Sequence, residues 1–283
     1  FGPGFSLTGE VQLEYAWSDG YDDTIGHTDL TLGWRNQGDI GFGIDLGLEG
    51  YHSFQDDYGF STNWAALVLM TSNGELAIGR PRSSLDGMFE MPEIGGSKLI
   101  TMQLGNLTNS TLWSIPFMDV VDVIGVTYKG TAGALHYGAG YHQIDWMGLE
   151  AEVTELGATY QLGQTKLYGG YSRLEMAGLD WTTSQLGALY EADRWSAGAK
   201  FSRTSFAFVG DYDMIALFGD YSVTDALSFG VQLVRVDLLG PSTNLYGLTT
   251  EYGIGQGSYA GLGVAKSSES SDAFYTASVG FRF

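Results

Sequence analysis

The chain has no cysteine, which excludes structural disulfides, thiolate metal sites and cysteine nucleophiles. It is also poor in bases, because 13 lysines and arginines stand against 33 aspartates and glutamates, a formal net charge of -20. Such a charge repels the phosphates of nucleic acid. We therefore expect no nucleic acid among the partners of this protein.

Long apolar runs are missing as well. No stretch of about eighteen apolar residues occurs, so the sequence predicts no transmembrane helix. The chain starts at Phe1 without a basic stretch followed by an apolar one, and we expect a mature form whose signal peptide has been removed. If this protein lies in a membrane, strands must cross it.

The sequence is rich in glycine, with 42 residues, and 14% of it is aromatic, while proline contributes only 5 residues. This balance suits long strands with close backbone packing. The dominant pattern is alternation. Between Phe5 and Trp17 the odd positions are almost all apolar and most even ones are polar, and from Asp39 to Tyr51 the parity is reversed.

About sixteen such segments can be drawn. They lie near 5–17, 27–36, 39–51, 60–71, 74–80, 120–129, 132–142, 149–162, 164–174, 182–192, 194–204, 211–222, 225–236, 244–253, 257–266 and 273–283. Strands of about ten residues fit a tilted membrane crossing, whereas strands of soluble sandwiches average about five or six. We predict an all-β fold, a 16-stranded antiparallel transmembrane β-barrel that forms a single domain over residues 1–283.

The connections predict two different rims. Tight turns near 36–39, 72–74 and 162–164 take turns with longer polar loops, which we place at 18–26, 51–59 and 266–272. Short turns on one rim and long loops on the other are typical of transmembrane barrels. An even number of strands puts both termini on the short-turn side, and this side is expected to be periplasmic.

One connection, about 81–120 between strands 5 and 6, is far longer than the others. It carries many apolar residues, so we expect it to fold into the barrel lumen and to narrow it. Loop acids facing wall bases would set up a transverse field that favours hydrated solutes. The candidate constriction residues are Arg80, Arg82, Asp86, Glu90, Glu93 and Lys98, and parity adds Arg35 and Lys129 as pore-wall bases.

Two short stretches carry a resemblance. Gly79-Arg80, followed by Met91-Pro92-Glu93-Ile94-Gly95-Gly96, resembles the constriction loop of general bacterial porins, with isoleucine in place of the family's phenylalanine. The alternating terminal strand that ends at Phe283 is also similar to theirs. The resemblance implies that Glu93 is a constriction carboxylate with Arg80 opposite it on the wall. It further implies a homotrimer in the outer membrane of a Gram-negative bacterium, in contact with lipid and lipopolysaccharide.

We therefore predict an outer-membrane diffusion porin for small hydrophilic solutes and ions. The sparse wall bases favour a preference for cations. A substrate-selective channel, for a sugar or another small solute, is the alternative. Most aromatic residues have outward parity, with Tyr168 and Phe218 as ambiguous exceptions, but the loop aromatics Phe89 and Trp113 keep this alternative open. A barrel hydrolase is a more distant alternative, and His142 beside Asp145 is the only pair that supports it.

No cofactor is expected, and no metal site is assigned, because the four histidines show no metal-ligand spacing. Two pairs of acids in predicted outer loops can bind calcium or bridge to lipopolysaccharide through divalent cations. These are Asp22, Asp23, Asp56 and Asp57. The other interpretation is that they are solvated loop charges.

Overall fold

The computed structural model describes residues 4–36, 40–101, 121–146, 148–207, 210–238 and 242–283. Within these ranges, no helix is both long and apolar enough to cross a membrane. Sixteen strands follow one another along the chain. They are β1 (Phe5–Ser18), β2 (Tyr21–Arg35), β3 (Gly41–Ser53), β4 (Tyr58–Thr71), β5 (Gly74–Arg80), β6 (Val121–Ala132), β7 (Leu135–Trp146), β8 (Leu149–Leu162), β9 (Thr165–Met176), β10 (Leu179–Glu191), β11 (Trp195–Phe206), β12 (Gly210–Ser222), β13 (Leu227–Leu238), β14 (Thr243–Gly255), β15 (Ser258–Ser267) and β16 (Ala273–Arg282).

The strands form one closed barrel. Each strand pairs antiparallel with its neighbours in sequence, and β1 pairs with β16 to close the sheet. At this seam Val11 lies opposite Phe281 and Leu13 lies opposite Val279. The prediction of an all-β, 16-stranded antiparallel barrel is confirmed.

Burial along the strands is inverted relative to a soluble protein. In β1 the outward-facing Leu13 and Tyr15 are 45% and 44% exposed, while the inward-facing Gln12 and Glu14 are almost completely buried. The same holds around the barrel, where outward-facing residues such as Leu67 are among the most exposed. An apolar exterior around a polar interior is the arrangement of a barrel that lies in lipid.

The connections differ from the prediction. Apart from 81–120, the connections have two to five residues at both rims. The predicted loop 18–26 is wrong, because β1 and β2 are joined by residues 19–20 alone and Ile25 packs inside against Ala16. Asp22 and Asp23 give this segment the composition of a loop, although it is a β-strand that pairs with β1. The predicted loop 51–59 likewise shrinks to residues 54–57.

Candidate functional site in the barrel lumen

The described part of the long connection, residues 81–101, lies against the inner wall of the barrel, and we call it the strap. It contacts inward-facing side chains in turn from β8, through β9, β12 and β13, to β16 and β1. Residues 98–101 form a helical turn at its end. The rest of the predicted constriction loop, 102–120, lies outside the described residues.

The strap is first held by a buried carboxylate on β8. Ser83 donates its hydroxyl to Glu155 Oε1 at 2.7 Å, and Ser84 donates its backbone N–H and its hydroxyl to Oε2 at 2.8 and 3.2 Å. His142 Nε2 lies 3.7 Å from the same Oε2. The Glu155 and His142 side chains are fully buried, so these charge-assisted hydrogen bonds form out of contact with water.

The next contact between the strap and the wall is apolar. The Phe89 ring stacks on Tyr168 with 5.4 Å between ring centroids, and Phe218 lies beside it. Leu85 and Met88 complete this buried cluster. Two wall positions must be glycine to leave space for these side chains. A Cβ at position 187 would lie 2.9 Å from the Phe89 ring, and one at position 157 would collide with Leu85.

The third contact joins the strap to the far side of the barrel. Ile94 is fully buried among inward-facing apolar residues of β12, β13 and β15. Gly95 donates its N–H to Gln232 at 3.2 Å and accepts the Thr276 hydroxyl at 2.7 Å. Gly95 has a φ of 59°, and a Cβ at Gly263 would collide with its carbonyl, so both positions require glycine.

A lysine then joins the strap to the seam. Lys98 Nζ lies 2.5 Å from Glu10 on β1 and 3.0 Å from Glu93 on the strap. Glu10 also accepts bonds from Tyr259 and Arg282, and Arg282 pairs with Glu251 at 2.7 Å. Burial opposes the charged form of Lys98, but the two carboxylates outweigh it and raise the pKa of this lysine, which therefore stays protonated.

Near the start of the strap, Arg82 bridges wall and strap. It pairs with Asp29 on β2 and, at 2.9 Å, with Asp86 on the strap. Its guanidinium lies over the inward-facing Trp64 ring, 3.6 Å from the centroid. Lys129 donates to the backbone carbonyl of Asp86 at 3.0 Å. The bases on the strap thus hold acids on the wall, the reverse of the expected arrangement.

A cavity of about 820 Å³ lies between the strap and the wall. Its lining is strongly acidic. The charged lining residues are the acids Glu10, Asp29, Glu49, Asp86, Glu90, Glu93, Asp220 and Glu251 and the bases Lys98 and Arg282. Burial raises the pKa of Glu90 and of Glu93, in the latter case despite the attraction of Lys98.

The sequence-predicted residues divide into two groups. Asp86, Glu90, Glu93 and Lys98 line the cavity, and Arg82 holds two of its acids, as described above. The placement of Arg80 opposite Glu93 stays a prediction, and the carboxylate of Glu93 pairs with Lys98. Arg80 is absent from the lining and donates to Thr62 at 3.5 Å. Gly79 has a φ of 129° and precedes Arg80, the last residue of β5, which stands in register with Ala65 on β4.

The pore-wall candidates also differ from each other. Lys129 faces inward and holds the strap, whereas Arg35 lies at the rim where β2 ends and pairs with Asp45 at 2.6 Å. Sequence reasoning missed the wall acids Asp29 and Glu49 and the anchor Glu155. Their inward parity within apolar strands was the only available signal.

The acids considered for calcium differ in their surroundings. Asp23 is buried and accepts the Gln55 N–H at 3.2 Å, Asp22 is exposed on the outer face, and Asp56 and Asp57 lie in the turn between β3 and β4. In the described part of the chain, no group of three or more histidine, cysteine or acidic side chains could hold a metal ion.

His142 and Asp145, and the aromatic pair Tyr168 and Phe218, differ in how they face the lumen. His142 faces inward and is fully buried, but Asp145 is exposed and caps the Gly148 N–H at 2.8 Å. They lie on opposite faces of β7, so this pair cannot form a hydrolytic site. Tyr168 and Phe218 face inward, as a sugar ladder would require, but they are buried under Phe89.

Comparisons with known proteins agree with this architecture. A mutant of the porin of Rh. blastica superposes with a TM-score of 0.72 at 16% identity, covering 99% of this chain and 100% of that one. A loop-deletion mutant of OmpT, an outer membrane protein of Vibrio cholerae, gives 0.70 at 16% identity, with 99% of each chain covered. No curated protein matches the chain. The model of the Gram-negative porin family matches residues 3–280. The chain belongs to this family.

The porin is thus an outer-membrane β-barrel for passive diffusion, and the predicted family and general function are confirmed. Its family and fold are those of a channel. In this porin the lining of the cavity is acidic, and Arg82 and Lys98 on the strap are engaged with acids.

Proposed function

We propose that this porin is a cation-preferring diffusion channel, without enzymatic activity, in which the strap sets the width and charge of the passage for small hydrophilic solutes. The observation that carries the proposal is the lining of the cavity, where eight acids outnumber two bases. Charge of one sign in a confined, low-dielectric passage raises the local concentration of ions of the opposite sign.

Ion pairing does not cancel this charge. Arg82, Lys98 and Arg282 are shared among five of the acids. Glu49, Glu90 and Asp220 have no ion-pair partner in the part of the chain that the structure describes. Cations entering the cavity therefore meet uncompensated carboxylates, whereas anions are repelled.

The reversal potential in planar bilayers under a salt gradient tests this proposal. The wild type should show a cation-selective potential, because acids outnumber bases along the lining of the cavity. Changing Glu90 and Glu93 together to glutamine should move the potential towards the unselective value. An anion-selective wild type, or a double variant with unchanged selectivity, would contradict the role of the strap acids.

We further propose a homotrimer that packs through β2–β4. Near the rim where β5 ends and the strap begins, the outward positions of these strands are small or polar, namely Thr24, Thr28, Gly50, Ser61 and Asn63, and exposed leucines such as Leu46 and Leu67 follow on the same face further from this rim. Such a face suits protein packing better than lipid. Changing Ser61 to arginine should convert trimers to monomers, as measured by light scattering in detergent; an unchanged mass would place the interface elsewhere.

The arc of the barrel opposite β2–β4, formed by β9 to β12, supports contact with lipid headgroups. Its outward positions near the same rim carry ion pairs such as Arg173–Asp180 at 2.7 Å and Arg203–Asp213 at 2.6 Å. Charged pairs at this height suit the phosphates of lipopolysaccharide and their counterions. In this arrangement the rim where β5 ends and the strap begins faces the outside of the cell, and the rim where β1 begins and β16 ends is periplasmic.

A further inference from the structure

The middle of the strap is held differently from its two sides. On one side Ser83 and Ser84 bond to Glu155, and on the other Gly95 bonds to side chains of the wall. Between them, residues 89–92 form no hydrogen bond and no ion pair within the described ranges. Side-chain packing alone therefore holds this middle segment against the barrel wall.

Met91 lies at the centre of that packing. Its side chain is partly buried and packs against two separate apolar clusters. One contains Phe89 and Tyr168, and the other contains Ile94 and Met214. The flexible, unbranched thioether of methionine fills irregular gaps of this kind. Met91 thus joins the two apolar contacts that hold the strap on either side of it.

Met91 also lines the cavity, whereas two methionines that pack near it do not. Met88 on the strap is only 8% exposed, and a Cβ at wall position 157 would lie 2.9 Å from its sulfur. Met214 on β12 is fully buried. Met91 therefore combines a packing role with access to the solution in the passage, and its two neighbours have the packing role alone.

A thioether that meets water is oxidised by hydroperoxides. The sulfur lone pair attacks one oxygen of hydrogen peroxide, an S–O bond forms as the O–O bond breaks, and the other oxygen leaves as water with both protons. The sulfur is oxidised and the peroxide is reduced. The product, methionine sulfoxide, carries a polar oxygen in place of an apolar sulfur surface. Burying that oxygen among apolar side chains costs free energy that burying the thioether does not.

We propose that Met91 is an oxidation-sensitive site, at which hydroperoxides entering the channel form methionine sulfoxide and release the middle of the strap from the wall. This inference rests on the proposed function, since the peroxide is a small hydrophilic solute that reaches Met91 through the passage. The oxidised side chain turns towards the water of the cavity, and the clusters around Phe89 and Ile94 lose the group that joins them. The passage then loses its fixed width.

Hydrogen peroxide is the probe. The detergent-purified protein is treated, digested and analysed by mass spectrometry, which follows the gain of one oxygen atom at each methionine. Met91 should be oxidised several-fold faster than Met88 and Met214. In planar bilayers the same treatment should raise open-channel noise, because the time that channels spend with the strap released increases about tenfold or more.

Two variants test whether Met91 carries this response. Met91→Leu has a similar volume and no sulfur, so treatment should no longer raise its noise. Met88→Leu is the matched control on the same strap, and it should keep the wild-type response. A response that Met91→Leu retains, or oxidation of Met91 no faster than that of Met88, would overturn the inference. Preferential oxidation of Met91 in a protein that conducts no ions would support the site and contradict the proposed function.

Discussion

Glu155 is the residue whose loss should free the strap most completely. Its carboxylate accepts three hydrogen bonds from Ser83 and Ser84 in a site without solvent access. Replacing it with alanine removes a charged acceptor and leaves buried donors unpaired, which together costs about 3–6 kcal/mol. At 1.4 kcal/mol per decade, the fraction of channels with this end of the strap released rises by roughly 10² to 10⁴.

Single-channel recording and limited proteolysis measure this release. We expect Glu155→Ala to raise open-channel noise and mean conductance, and to expose the strap to cleavage while the barrel stays intact. Glu155→Gln should show a smaller effect, because one amide oxygen can still accept the Ser84 N–H. Glu152→Ala, on the outward face of the same strand, is the control. Unchanged noise and unchanged protease resistance in the alanine variant would refute the role of Glu155 in holding the strap.

Three further predictions concern the rest of the strap. Gly263→Ala should displace Gly95, since the Cβ of the new alanine has no space beside the Gly95 carbonyl. Single-channel recording should then show a larger conductance. Because burial raises the pKa of Glu90 and Glu93, cation selectivity should fall with decreasing pH from a point above the pKa of an exposed glutamate, about 4.3. Reversal potentials across a pH series check this, and a decline beginning only below that value would contradict it. Lys98→Gln should strengthen cation preference in the same assay, because it frees Glu93 and a wall acid from their counterion.

The barrel could be predicted from the sequence because its main determinant is local. Alternation with period two specifies both the strand and the side that meets lipid, and it recurs along almost the whole chain. The misplaced start of β2 shows where this signal ends. Asp22 and Asp23 have a loop-like composition, but the buried one has a backbone partner at Gln55, 32 residues away, which no local pattern reveals.

The site was only partly predictable, because a local pattern does not show which distant strands meet in the barrel. Glu93 and Lys98 were found because they lie on one conspicuous insertion. Their partner Glu10 comes from β1, and the acids Asp29 and Glu49 come from β2 and β3, so their juxtaposition depends on closure of the barrel. For Arg80 the motif predicts the residue type, but it gives no information on the backbone at Gly79, where φ is 129°.

The ion pairs at the seam also bear on how the molecule is assembled. Arg282 reaches Glu10 across a separation of 272 residues, and Lys98 joins the same carboxylate. The end of the strap that carries Gly95 and Lys98 can therefore complete its contacts only after the last strand has met the first. Until then β1 and β16 remain open edges, prone to pairing with other chains, and the passage has no fixed width. Closing the sheet and setting the filter are thus one late event in folding, so a chain that fails to close its edge also lacks its selectivity.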